Sequence, residues 1–276
     1  MGEIDELWRY DGRRAVVTGC ASGIGEHVVR QLTELGAEVI GLDKRRPPLE
    51  VNEFHEVDLA DPESIDGAVG SIRGRVDALF NVAGVSSGIG NPSLVATINF
   101  LGLRHLTEAL IPKMIAGSSI VSVSSLAAVG YREHLREVAP LLDTASMREG
   151  IQWCAAHPDE LGNGYQLSKE AIILYTMRSA TPLGANGIRI NCSGPGVTET
   201  PILDQLRTAY GQGFLDDIPK PLGRVSDPAE QAAVLLFLNS RAASYITGQI
   251  VWVDGGNVGA AIARGLEEGR AHGRLD

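Results

Sequence analysis

The chain has 276 residues, 44% hydrophobic and 21% charged, which suits one large α/β domain or a domain with a small insertion. A formal net charge of −10 argues against a nucleic-acid backbone or an anionic membrane surface as partner, and no stretch approaches the roughly 18 apolar residues of a membrane span. The 33 glycines fall at discrete corners without a period, so collagen-like and low-complexity readings fail.

The opening segment, MGEIDELWRYDGRR, is acidic and has no apolar core, so neither a signal peptide nor a myristoylation signal is expected there. Residues 14–18 read as a buried strand. A helix is expected from about Gly23, with Val28, Val29, Leu32 and Leu35 on one face and Gly36 stopping it. Further strands are expected at 38–42, 53–57, 77–82, 118–124, 187–192 and 249–253, with helical patterns near 62–72, 92–116, 165–183 and 227–239. This alternation predicts an α/β fold: a Rossmann-type, doubly wound parallel sheet of about seven strands in a single domain spanning 1–276. Ligands in such a sheet sit beyond the carboxyl ends of the strands.

One segment breaks the rhythm. Residues 126–164 are too many for an ordinary connection and carry helical signals of their own. Leu135, Val138 and Leu142 share a face, as do Met147, Ile151 and Cys154, with Pro140 between the two groups. Ser146 and Glu149 fit a capping box, and Pro158 with the glycines after it closes the unit. It reads as a small helical insertion. The Gly-rich, charged stretch 255–276 is expected to have a loose end.

Candidate chemistry stands at the strand ends. TGCASGIG (18–25) sets Gly19, Gly23 and Gly25 between a strand and a helix. There the backbone can approach a pyrophosphate, and the helix N-terminus supplies free N–H groups. Tight strand–helix packing would use the same glycines. Asp43 ends the second strand, 24 residues after Gly19, where a carboxylate would accept from ribose hydroxyls and repel a 2′-phosphate. Lys44, Arg45 and Arg46 blur that preference, since they suit a phosphate as well as a solvated turn. Asp58 and the run Asn81-Val82-Ala83-Gly84 follow the third and fourth strands, where turns and caps are the ordinary use of such residues. Tyr165 and Lys169, four apart, share a helix face with Cβ atoms about 5–6 Å apart. They are either a proton-transfer pair or two side chains of an amphipathic helix. A phenolate near neutrality needs its pKa lowered by about three units, roughly 4 kcal/mol of preference.

Cys20, Cys154 and Cys192 are odd in number and widely spaced, which favours reduced thiols and a cytoplasmic setting over a disulfide framework. His27, His55, His105, His134, His157 and His272 form neither HExxH nor a Cys/His ligand spacing, so no metal is expected.

In chain order, TGCASGIG, NVAG (81–84), Asn99 in TINFLG, VSVSS (121–125), YQLSK (165–169), SGPGVTETP (193–201) and ITGQIVWVDGG (246–256) resemble the short-chain dehydrogenase/reductase family over nearly the whole chain. The resemblance implies a catalytic set of Asn99, Ser125, Tyr165 and Lys169. Tyr165 would be the general acid/base, Lys169 would hold the nicotinamide ribose and tune Tyr165, Ser125 would bind the reacting oxygen, and Asn99 would orient a water in the proton path. It further implies cofactor contacts from Gly19, Ala21, Ser22, Gly23, Ile24, Gly25, Asp43, Asp58, Leu59, Asn81, Ala83, Gly84, Pro195, Gly196, Val197 and Thr198, together with Tyr165 and Lys169. The cofactor expected is NAD, with NADP the lesser alternative. In oxidation Tyr165 would take the hydroxyl proton as hydride passes to the nicotinamide.

Two features depart from the family pattern. Ser125 and Tyr165 are 40 residues apart where about a dozen is usual, and NVAG replaces the commoner NNAG. Ser124 is an alternative to Ser125, which ends the VSVSS run in the family's position. The long insert, the GCASGIG loop, GVTETP and PLGRVSDPAEQA (221–232) look most like bacterial 3α-hydroxysteroid dehydrogenase/carbonyl reductases, with coniferyl-alcohol dehydrogenases as the rival. A non-catalytic NAD-sensing protein is the alternative of another class, and it predicts a broken Tyr/Lys/Ser/Asn set. The stretch 200–223 looks like the family's mobile substrate loop, with Ile202, Leu203, Leu206, Tyr210 and Phe214 as pocket walls for a hydrophobic alcohol or ketone. A homodimer or homotetramer is expected. Because the insert can cover the 92–116 and 165–183 helices, residues 227–253 are the expected contact.

Overall fold

The computed structural model describes residues 2–271. Seven strands form one parallel sheet: β1 (Arg14–Thr18), β2 (Glu38–Asp43), β3 (Glu53–Glu56), β4 (Val76–Asn81), β5 (Met114–Val123), β6 (Arg189–Pro195) and β7 (Ile250–Val253). Their order is β3-β2-β1-β4-β5-β6-β7. The helices are α1 (Glu3–Trp8), α2 (Gly23–Glu34), α3 (Pro62–Ser71), α4 (Pro92–Ala96), α5 (Leu103–Leu110), α6 (Leu135–Leu142), α7 (Met147–Ala156), α8 (Pro158–Leu161), α9 (Tyr165–Gly184), α10 (Pro201–Tyr210), α11 (Gln212–Asp216), α12 (Pro228–Asn239) and α13 (Asn257–Ala271). Both sheet faces are covered, so the strands are apolar runs; β4 is buried at every position. One core holds α3, α5, α6, α7 and α9, and the other holds α2 and α12 with Tyr10. Strand order reverses between β1 and β4, which opens a crevice at the carboxyl ends of those strands.

Local chemistry sets the helix starts. The Asp61 carboxylate accepts from Glu63 N (3.0 Å) ahead of Pro62 at the first position of α3. Asp227 and Glu230 form a reciprocal capping box on α12. At α7 the box is only half built. Ser146 Oγ accepts from Glu149 N (3.2 Å), but the Glu149 carboxylate reaches the Ala145 N–H (2.8 Å) instead of its own cap.

Several expectations need correction. The 92–116 helix stops at Lys113, because Met114 already pairs with Val76 in the sheet. Within it, Thr97–Gly102 forms a π turn between α4 and α5. By length and composition Pro92–Lys113 is apolar enough to cross a membrane, contrary to the reading that no stretch is; 67% of that apolar window is buried inside the protein, where it serves as a core helix. Pro140 lies inside α6, and the break comes at Asp143–Ser146. Val138 and Leu141 face the core there, whereas Leu135, expected on the buried face, is exposed. Pro158 opens the one-turn α8 instead of ending the unit. The 200–223 stretch contains α10 and α11, since Ile202–Tyr210 has no breaker until Gly211. Residues 257–271 are helical, and 272–276, where a loose end was expected, lie outside the described residues. Helix α1 went unanticipated.

The segment between β5 and α9 is tied down through a buried cation. The Arg104 guanidinium, over the Phe100 ring at 5.5 Å, donates to Leu141 O (3.4 Å), Leu142 O (3.3 Å) and Thr144 Oγ1 (3.0 Å). These bonds satisfy carbonyls at the end of α6 that have no partner within the helix.

Candidate active site

The crevice holds a cleft of about 680 Å³. On its β1–β2 side the walls are main chain. Gly19 has φ +69°, and a Cβ there would lie 2.8 Å from Ala83 Cα; one at Gly25 would lie 2.0 Å from Gly19 O. Only glycine leaves the loop this tight, and the first N–H groups of α2 then face the cleft. Thr18, which the sequence reading did not single out, ties this loop to the end of β4: its Oγ1 accepts from Val82 N (2.9 Å) and Ala83 N (3.1 Å). Asp43 accepts from Ala21 N (3.0 Å) and Arg45 N (3.0 Å). Asp58 accepts from Lys44 Nζ (2.7 Å) and Ala60 N (2.9 Å). Burial pushes the Asp58 carboxyl up, but the Lys44 and Ala60 bonds leave it below the usual range.

On the β5–α9 side the walls are side chains. Gly164 adopts φ +75°, and its Cα lies so close to Pro92 that a Cβ would meet Pro92 O at 2.1 Å. Asn163 Oδ1 accepts from Tyr165 N (2.9 Å), which starts α9 with Tyr165 half-buried on the cleft wall. Tyr165 and Ser125 both border the cleft, near enough for the Ser125 side chain to act on the phenol. Burial raises the Tyr165 pKa and Ser125 opposes the rise. Lys169 Nζ lies 5.6 Å from the centre of the Tyr165 ring and donates to Val123 O (2.9 Å); burial pushes its pKa down to about 8. Ser124 and Ser125 both border the cleft, but the buried Ser124 hydroxyl donates to Lys169 O (2.7 Å). The π turn buries Asn99, which accepts from Val85 N (2.8 Å) and donates to Val85 O (3.0 Å). A Cβ on Gly84 would stand 3.1 Å from Asn99 Oδ1 and 3.5 Å from Lys169 Nζ, so these three groups adjoin.

All the catalytic and cofactor-binding residues proposed from sequence line this cleft except Ala21, Asn81 and Asn99. Ala21 contributes its N–H to Asp43, and Asn99 sits just behind Gly84. Asn81 does not reach the cleft. It is buried and donates to Thr107 Oγ1 (2.9 Å) and Ser122 Oγ (3.3 Å), because at the last position of β4 its side chain points at the neighbouring strand and α5. Leu126, Ala127, Gln166, Gln205, Leu215 and Ile218 also line the cleft, and sequence reasoning missed them. They come from a 3₁₀ turn, from the helices α9, α10 and α11 and from the turn after α11, whose facing depends on the tertiary fold, and only the position of Gln166 beside Tyr165 hinted at it. Ile202, Leu203, Leu206 and Phe214 line it as expected; Tyr210 does not, and its hydroxyl bonds to Ser87 Oγ (3.0 Å). Cys20, Cys154 and Cys192 are free and buried, and burial pushes their thiols up to about 12, 11 and 12, away from nucleophilic use.

A family model described as short chain dehydrogenase matches residues 13–136, and one described as enoyl-(acyl carrier protein) reductase matches residues 155–257. The chain is 36% identical to a coniferyl-alcohol dehydrogenase from a Pseudomonas species, over 88% of this chain and 96% of that one. It is 30% identical to a 3-alpha-hydroxysteroid dehydrogenase/carbonyl reductase from Comamonas testosteroni, over 87% and 95%. Among solved structures, the 3-alpha-hydroxysteroid dehydrogenase of Pseudomonas sp. B-0831 complexed with NADH superposes with a TM-score of 0.76 at 30% identity, covering 88% of this chain and 95% of that one.

Proposed function

The chain belongs to the short-chain dehydrogenase/reductase family and is an NAD(P)-dependent oxidoreductase, and from that premise we propose that it interconverts a secondary alcohol and a ketone on a hydrophobic substrate, with NAD(H) as cofactor. The observation that carries this reading is the juxtaposition of Ser125 and Tyr165, with the Lys169 ammonium over the phenol ring, on the wall of a largely apolar cleft.

The glycine cradle fits a dinucleotide: it exposes main-chain N–H groups where a Cβ would fill the space. Gly19 and Ser22–Gly25 would hold the pyrophosphate, Asp43 the adenosine ribose, Asp58 and Leu59 the adenine, and Pro195–Thr198 the carboxamide end. The nicotinamide, when bound, supplies the hydride acceptor or donor. Ser125 holds the substrate oxygen. Tyr165 takes its proton in oxidation and returns it in reduction. Lys169 favours the phenolate by charge, and Asn99 fixes the Val85 turn behind the pair. Leu126, Ile202, Leu206 and Phe214 exclude water from the reacting carbon. Asp43 at the end of β2 supports NAD over NADP, because its carboxylate would repel a 2′-phosphate.

The apolar walls suit a 3α-hydroxysteroid or a xenobiotic carbonyl. An aromatic alcohol of the coniferyl type is supported equally well, by the 36% identical relative. We read 126–164 as an insertion within one domain, supported by the two family matches, which stop at 136 and resume at 155. That insertion helps bury α9 within one chain, which supports a homo-oligomer built through another surface such as 227–253.

The test is NADH and NADPH formation with 3α-, 3β- and 17β-hydroxysteroids beside coniferyl alcohol. Strong 3α-steroid turnover with NAD is the expected result. Turnover of coniferyl alcohol alone transfers the assignment to the aromatic class, and a preference for NADP removes the role given to Asp43.

A further inference from the structure

The 40-residue separation of Ser125 from Tyr165 raises a mechanical problem. Two hydroxyls that must act together are carried by segments that part company for an entire helical insertion. Ser124 Oγ on Lys169 O and Lys169 Nζ on Val123 O join them on the β5 side of the serine, and a further side-chain contact joins them on its far side. His134, nine residues after Ser125, places Nδ1 2.7 Å from Glu170 Oε1 on α9. The Glu170 side chain is only 2% exposed, although it follows Lys169 directly. The same oxygen accepts from Gln166 Nε2 (3.0 Å), and Gln166 lines the cleft one residue after Tyr165. Between Ser125 and His134 the chain makes a tight 3₁₀ turn, Leu126–Ala128, held by Ala127 N donating to Ser125 Oγ (3.2 Å). Ser125, its turn, His134, Glu170, Gln166 and the Tyr165 turn of α9 therefore close a ring around one end of the cleft.

We propose that His134 is a positioning residue for the reaction: by bonding the buried Glu170 it fastens the Ser125 turn to the first turn of α9, and so sets the Ser125–Tyr165 geometry and the Gln166 wall that meets the substrate. The inference rests on the Ser125/Tyr165 assignment above. A buried carboxylate needs a charged or strongly donating partner, and the imidazole supplies it. Gln166 from α9 and Glu170 face the ring. Glu133 and Glu137 flank it on its own segment and favour its charge, and Arg132 is turned away onto Tyr131 Oη (3.0 Å). The Glu170 bond and charge hold the His134 pKa above its ordinary value near 6.5. The sign follows. A raised folded pKa makes the charged clasp fully present below about 6.5 and lost as pH rises through the folded value.

The experiment compares wild type, His134→Gln and Tyr165→Phe, with kcat and KM taken from pH 5.5 to 9 using the panel alcohol turned over fastest. Hydrogen exchange of peptides covering 124–134 and 162–170 is followed over the same range in the cofactor-free protein. The expected result is a wild-type KM that rises about tenfold through the His134 titration while exchange in both peptides speeds up. In His134→Gln, which keeps a neutral donor, KM is elevated at every pH and both pH dependences flatten. Identical KM profiles and exchange in wild type and His134→Gln overturn the proposal. If Tyr165→Phe retains turnover the site assignment itself fails, and the exchange data alone then decide whether the clasp exists.

Discussion

On the β1–β2 side of the crevice, glycines and Thr18 set main-chain atoms on the cleft within a continuous strand–turn–helix. On the β5–α9 side the groups on the cleft are side chains borne by segments 40 residues apart, held by Ser124, Gly164, Lys169 and the contacts of the insertion. The first arm comes from one continuous stretch whose close contacts admit only glycine at positions 19 and 25. The second is assembled only when distant parts pack. A family can therefore keep the first arm while varying what the second arm encloses.

The sharpest break in this comparison is Tyr165→Phe. It removes one oxygen from the assembled arm and leaves the other arm whole, so turnover should fall about 10³-fold or more while NADH binding, read by fluorescence, stays near wild type. Near-normal turnover would remove Tyr165 from the chemistry. Gly19→Ala attacks the opposite arm. A Cβ at positive φ, 2.8 Å from Ala83 Cα, should cost about 2–4 kcal/mol in chemical denaturation and weaken NADH binding. Unchanged stability and affinity would show that the loop adapts. Arg104→Met tests how far the assembled arm depends on its insertion: losing the bonds to Leu141, Leu142 and Thr144 should destabilise by about 1–3 kcal/mol, with NADH affinity retained. A parallel loss of NADH affinity would mean that the two arms are coupled. The smallest effect is a pH shift. Lys169, lowered to about 8 by burial, carries its charge below that pH, and in the proposed mechanism that charge favours the Tyr165 phenolate. In Lys169→Met the rise of kcat/KM with pH in alcohol oxidation should move up by about one unit, and a fixed limb would exclude electrostatic help from Lys169.

Legibility in the sequence divides along the same line. All seven strands could be read from apolar runs between turns, and Gly19, Asp43, Tyr165 and Lys169 stood out because each is placed by local spacing. The contacts His134–Glu170, Arg104–Leu141 and Tyr210–Ser87 were not readable, since each joins residues tens of positions apart and depends on which way a turn faces. Leu135 was misassigned for a related reason: α6 offers more apolar residues than its one buried face accepts. Asn81 was misread because a strand's last residue can point along the sheet as readily as into the crevice. The π turn left no trace, as TINFLG suits an ordinary helix equally well.

That turn has an evolutionary consequence. A π turn is an α-helix carrying one surplus residue, so deleting a position within 97–102 would regularise the helix and leave the facing of the residues beyond it unchanged. Leu103, Leu106 and Leu110 would stay in the core, whereas Asn99 would lose its register with Val85. The surplus residue thus serves Asn99 and not the core, and among descendants of this chain it should be kept only where the site is kept.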